Sequence, residues 1–160
     1  MSERFPMTPE GHQRLVAELR HLKSVERPKN IQDIETAREH GDLKENAEYQ
    51  YAKEKRLMIN AHIGRAESML GGAQVIDPKS LSGERVVFGA TVTVYDLKTE
   101  EEHTWQIVGQ HESDPDNGRI SVTSPLARSL IGKEEGDEVG VPGSRGRPGR
   151  QLELLGVEFV

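Results

Sequence analysis

Tyr49, Ala52, Arg56, Ile59, Ile63, Ala66 and Leu70 recur at alternating spacings of three and four residues. That heptad seam predicts a long helix whose apolar stripe needs a partner helix. Arg56 is its one polar member, and Gly71-Gly72 ends it. The partner stands upstream. Thr8 reads as an N-cap and Pro9 as the first helical residue, where a missing N–H costs nothing. Leu15, Leu19 and Leu22 then follow at helical spacing. Ile31 and Ile34, followed by Arg38, repeat that spacing out of register with the first set. The break falls at Arg27-Pro28, where the ring removes a hydrogen bond and crowds the preceding turn, so a kink or short interruption is expected there. Residues 8–72 are therefore read as an antiparallel helical hairpin whose tip is Gly41-Asp42-Leu43-Lys44-Glu45-Asn46. Arms of about 30 residues would project roughly 45 Å. That exceeds what two helices need for their own stability, so the length calls for a purpose.

Downstream the periodicity changes. Val86-Val87-Phe88, residues 91–95, residues 104–108 and Ile120-Ser121-Val122 are rich in β-branched and aromatic residues and read as strands. Asp116-Asn117-Gly118 is a turn between two of them. Ser124-Pro125 opens a short helix from Leu126 to Leu130, ended by Gly132, and Leu152 to Phe159 reads as a closing strand. Trp105 is assigned to the core. The fold class is α+β, with a helical hairpin over residues 1–76, a small, mostly antiparallel domain over 77–160 and a linker near Asp77-Pro78. Hydrophobic residues at 34% suit an elongated, core-poor chain of this kind.

The net charge of −6 lies wholly in residues 76–160, while residues 1–75 carry 12 basic and 12 acidic side chains. A protein held to nucleic acid by bulk phosphate attraction would be basic over a whole domain. Only a local basic patch is left, and Arg38, Lys53, Lys55 and Arg56 flank the tip on both arms. They read equally as solvated helix charge, with Arg56 lying over the seam. The absence of cysteine excludes disulfides and thiolate chemistry and agrees with a reducing cytosol. No apolar run reaches the ~20 residues of a membrane span. The N-terminus lacks the basic and apolar segments of a signal peptide, so a cytoplasmic location without membrane contact is expected.

Asp42 and Glu45 carry the sharpest ambiguity. Asp-x-x-Glu is a capping pattern, with Asp42 as N-cap of the second helix and Glu45 reaching back to it. The same pair, with Glu48 nearby, could hold a hard divalent cation, which wants carboxylate oxygens but keeps other ligands too. Two carboxylates make half a site. No P-loop, His-Glu-x-x-His or Gly-x-Ser-x-Gly pattern is present, and the six histidines are scattered. Gly143 to Arg150, with three arginines, reads as a solvated hairpin loop or a partner contact.

The run Ala37-Arg38-Glu39-His40-Gly41-Asp42-Leu43-Lys44-Glu45-Asn46-Ala47-Glu48-Tyr49 resembles the signature of the bacterial Gre transcript cleavage factors, nearest their GreA branch. Met7-Thr8-Pro9-Glu10-Gly11, residues 89–94 and residues 124–133 resemble further blocks of that family in the expected order. The resemblance implies a coiled coil followed by an FKBP-like domain. It implies an accessory factor, not an enzyme, that binds RNA polymerase, enters its secondary channel and stimulates cleavage of the backtracked RNA 3′ end. Asp42 and Glu45 would share a Mg²⁺ with the polymerase active centre, held only in that complex. Arg38, Lys53 and Arg56 would face nucleic acid, namely the nascent RNA 3′ end, with a DNA contact in the elongation complex also allowed. The factor is expected to act as a monomer. Tyr49-Gln50-Tyr51 and Lys55-Arg56-Leu57 resemble the GreB branch instead, and Gly143 to Arg150 departs from the family's usual Pro-Gly-Gly hairpin. Two other readings compete: a channel-binding regulator without cleavage activity, and a coiled-coil scaffold or self-sufficient metal hydrolase unrelated to transcription.

Overall fold

The structure is a computed structural model and describes residues 3–41 and 46–160. The chain packs as two compact units. One comprises His12–Ala73, and the other joins Arg4–Gly11 to Gln74–Val160.

The first unit is the hairpin. Helix α1 (Pro9–His21) passes through a π-helical turn at Leu22–Glu26 into α2 (Arg27–Arg38), and α3 (Ala47–Gly71) returns alongside. Ile34 and Ala37 pack with Tyr49 and Ala52, while Leu22 packs with Ile59 and Ile63. Contacts that pair early with late residues define an antiparallel pair. Each buried Leu or Ile here contributes about 1.5–3 kcal/mol through removal from water.

The interruption expected at Arg27-Pro28 takes the form of that π turn, in which Arg27 N–H donates to Leu22 O. A π turn is one residue inserted into an α-helix, and it resolves the register problem. Leu15 and Leu22 are seven apart, Leu22 and Asn30 eight, and Asn30 and Ala37 seven again, and all four are buried. The seam position after the break therefore falls to Asn30, which is 2% exposed, whereas Ile31 is 49% exposed. Asn30 Nδ2 donates to Ala52 O at 3.0 Å, which satisfies a polar group that would otherwise be costly to bury. At the far end of α3 the buried position is Met69, with Leu70 only half-buried. Arg56, counted in the seam by spacing, is exposed.

In the second unit, β3 (Thr91–Asp96), β4 (Glu102–Val108), β5 (Arg119–Ser121), β6 (Glu138–Val141) and β7 (Arg150–Glu158) form one sheet in the order β5-β4-β3-β7-β6. All pairs are antiparallel except β4 and β5, which are parallel. The turn at Asp116-Asn117-Gly118 is present, with Gly118 in the left-handed region at φ 72°, but it belongs to a crossover and not to a hairpin. Val86-Val87-Phe88 is not a strand. Val86 is fully buried and exchanges backbone hydrogen bonds with Gly132 and Lys133, while Val87 faces outward. Helix α4 (Pro125–Leu130) is capped by Ser124 Oγ, which accepts from Ala127 N at 3.2 Å. Val92, Val94, Ile107, Leu130, Leu152 and Leu154 lead the core. Trp105 packs against it half-buried, stacked on His103 at 5.2 Å and overlain by Arg150 at 5.4 Å. Two short strands outside this sheet, β1 (Phe5–Met7) and β2 (Ala73–Val75), pair with each other. Residues 143–149 form an exposed connection between β6 and β7.

Candidate functional site at the hairpin end

Asp42 and Glu45 lie outside the described residues. What the structure supplies is the frame on either side of them. Asn46 is the N-cap of α3, its Oδ1 accepting from Tyr49 N at 3.1 Å. The cap is thus Asn46 and not Asp42, because α3 begins at Ala47 and a capping side chain must sit just before the first helical residue. Asn46 also donates through Nδ2 to Ala37 O at 2.6 Å, near the last carbonyls of α2. One amide therefore ties the end of α2 to the start of α3, and Gly41 provides the left-handed φ of 110° with which the chain leaves α2.

Tyr49 organises the basic residues. The Arg38 guanidinium lies 5.9 Å and the Lys53 ammonium 5.2 Å from its ring centroid. Tyr49 is 9% exposed and packs on Ile34, Ala37 and Ala52. A buried aromatic thus gathers one cation from each arm, which spacing alone did not reveal. Arg56 is exposed and is not part of that group. Lys55 lines a groove of about 410 Å³ between the arms, together with Asn30, Asp33, Thr36, Glu48 and Tyr51. Of the flanking cations, the structure unites Arg38 and Lys53, while Lys55 faces the groove.

Among the described residues, no group of three or more histidine, aspartate or glutamate side chains is placed to hold a metal ion. Nor, among them, is any helix long and apolar enough to cross a membrane. Asn46 could have been read from sequence as the residue directly before the periodic run, the usual N-cap position. Asp42 and Glu45 matched a capping box as well and obscured it.

Residues 5–75 match the family "Transcription elongation factor, N-terminal", and residues 81–159 match "Transcription elongation factor, GreA/GreB, C-term". Transcription elongation factor GreA of Acidiphilium cryptum is 54% identical over 98% of this chain and 99% of its own. The protein of the same name from Phenylobacterium zucineum is 56% identical over 99% of both chains. Among solved structures, GreA factor homolog 1 of Thermus thermophilus is 23% identical over 98% of this chain and 99% of that one, with a TM-score of 0.44. Identity above one half across essentially the whole length establishes that this chain belongs to the bacterial GreA/GreB family of transcription elongation factors.

Proposed function

We propose that this chain binds backtracked RNA polymerase and stimulates cleavage of the RNA 3′ end, so that an arrested elongation complex resumes synthesis. The observation that carries the reading is the full-length identity to curated GreA proteins, which spans the hairpin and the second unit alike. The chain acts as an accessory and not as a nuclease. Two carboxylates, Asp42 and Glu45, match the oxygen donors a hard cation prefers but are too few to hold it without other ligands. The rest would come from the polymerase.

In this reading residues 1–76 reach into the secondary channel and residues 77–160, an FKBP-like domain, dock outside it. The five-stranded sheet with one short helix supports the second assignment. Asp42 and Glu45 contribute negative charge and oxygen ligands to a Mg²⁺ shared with the polymerase. When bound, that ion lowers the pKa of its water and stabilises charge on the phosphate under attack. Asn46 ties the end of α2 to the first turn of α3, directly after the acidic pair in sequence. Arg38 and Lys53, gathered on Tyr49, offer positive charge to a phosphate of the nascent RNA, with Arg56 beyond them. The protein acts as a monomer in the cytoplasm.

The test adds the purified chain to stalled, backtracked elongation complexes with Mg²⁺. Shortening of the RNA followed by renewed extension is expected, with no cleavage of the same RNA when polymerase is omitted. Binding to polymerase without shortening would leave only a channel-blocking regulator.

A further inference from the structure

Tyr49 packs between the arms of the hairpin, but the seam beside it is made of alanines. Ala37, Ala47 and Ala52 carry only methyl groups, too short to close the gap between α2 and α3, and the groove of about 410 Å³ remains there. That volume is in the range of a small-molecule site. From α3 it is lined by Glu48, Tyr51 and Lys55, whose spacings of three and four put them on one helix face. From α2 it is lined by Asp33.

Of the three tyrosines, Tyr49 is buried and Tyr95 half-buried, whereas Tyr51 is 69% exposed. An aromatic ring left in water at the wall of a methyl-floored slot is a stacking platform, and every nucleobase has a π face to lay on it. Asp33 and Glu48, one from each arm, have no ion-pair or hydrogen-bond partner for their side chains among the described residues. An ionised carboxylate only accepts, so the ligand must bring the donors. Guanine presents two adjacent donors, N1–H and N2–H₂, on one planar edge. Adenine, cytosine and uracil each set an acceptor beside their donor. An arginine side chain offers a similar donor pair, but the half-buried Lys55 on the same wall repels a second cation and attracts a phosphate.

We propose that this groove is a guanine-nucleotide site. The base stacks on Tyr51, its Watson–Crick edge donates to Asp33 or Glu48, and its phosphate meets Lys55. The nucleotide is unpaired, because pairing would occupy the edge that the carboxylates read. In the role proposed above it is a guanosine of the extruded RNA 3′ segment, and that part of the inference rests on the cleavage function.

The test titrates the full chain with GMP and CMP by NMR. Signals of the Tyr51 ring and of the Ala37 and Ala52 methyl groups should shift and saturate with GMP at or below ~10 mM. CMP should bind about tenfold more weakly or worse, as for a lost bidentate base contact. Tyr51→Ala should weaken GMP binding by about tenfold, and Tyr51→Phe, which keeps the ring, should restore it. Asp33→Asn with Glu48→Gln should erase the preference for GMP. These side chains are exposed, so Tm should hold in every variant. Shifts that do not saturate, or equal binding of GMP and CMP, would overturn the site. The RNA source is read separately. Backtracked complexes that extrude guanosine should reach half-maximal cleavage at less factor than those that extrude cytidine, and Tyr51→Ala should remove the difference. GMP binding without that difference would assign the groove to free guanine nucleotides and overturn the RNA part. Absence of GMP binding, with polymerase affinity lost in the Asp33 and Glu48 double variant, would give the groove to an arginine of the polymerase and overturn the proposal. Failure of the wild-type chain to stimulate cleavage would sink the functional reading, while the GMP titration still decides the site.

Discussion

Replacing Tyr49 by leucine separates the ring from the burial it provides. Leucine keeps an apolar side chain against Ile34, Ala37 and Ala52 but offers no π face to Arg38 and Lys53. A cation over an aromatic ring at an exposed site contributes about 0.5–1 kcal/mol. Two such contacts give about 1–2 kcal/mol, to which the poorer fit of leucine adds a smaller cost. Tyr49→Phe retains the ring, so its cost should be below about 0.5 kcal/mol. Urea unfolding followed by far-UV ellipticity reports mainly the hairpin, because α4, of six residues, is the only α-helix lying wholly in the second unit among the described residues. The same two variants should differ in cleavage. In Tyr49→Leu the two side chains are no longer gathered, so half-maximal stimulation should need more factor than the wild type at low salt, and the gap should close as salt rises, because the wild type's phosphate contacts are then screened. Equal losses in the Phe and Leu variants would assign the effect to the hydroxyl and refute the cation–π account. A stable, fully active Tyr49→Leu would show that the ring gathers nothing of consequence.

The clamp at Asn46 should behave as a cap and a tie together. Asn46→Ala loses both, so about 1–2 kcal/mol of hairpin stability should go, whereas Asn46→Asp keeps the cap but not the donor to Ala37 and should lose about half as much. Thermal melts of the two variants decide this. In the second unit, the backbone N–H groups of Thr99 and Lys98, followed by the Arg150 charge, hold the Asp96 carboxyl below its ordinary value of 3.8 against the opposing effect of burial. A carboxyl whose pKa is lowered on folding stabilises above its unfolded value, and that contribution fades as pH falls through the folded one. The Tm advantage of the wild type over Asp96→Asn should thus be full at neutral pH and close only below pH 3.8. A gap unchanged down to acid unfolding would contradict the assignment.

Much of the hairpin was legible in the sequence because heptad spacing is a local signal. Tyr49, Ala52, Ile59, Ile63 and Ala66 were all placed correctly in the seam. The first arm was harder, since a π turn inserts one residue and leaves no mark in composition. Pro28 signalled the break but not its form, so Ile31 was read into the seam where Asn30 sits. In the second unit, strongly β-branched strands such as β3 and β4 were recognisable. Strand β6, Glu-Val-Gly-Val, was not, because glycine and charge dilute the pattern. Strands β1 and β2 have three residues each, too few for alternation to register. The parallel pairing of β4 with β5 depends on a crossover that a turn signal cannot distinguish from a hairpin. The buried carboxylate of Glu112 was invisible for a different reason: its partner Thr8 lies at the other end of the chain, and no local spacing encodes the pair.

The account's central claim is that Asp42 and Glu45 complete a metal site that only the polymerase can finish. Asp42→Asn with Glu45→Gln preserves side-chain size and, since Asn46 caps α3, leaves that cap intact. A bound metal ion supplies several kcal/mol of transition-state stabilisation, and at 1.36 kcal/mol per tenfold its weakening should lower cleavage by roughly a hundredfold or more. The decisive measurement is the cleavage rate of a backtracked complex at saturating double variant, taken beside its Tm and its ability to compete with the wild-type protein. The account predicts a rate near that of polymerase without factor, a Tm within a degree or two of wild type and effective competition. Cleavage that survives in the double variant, or that disappears only together with stability and binding, would contradict it.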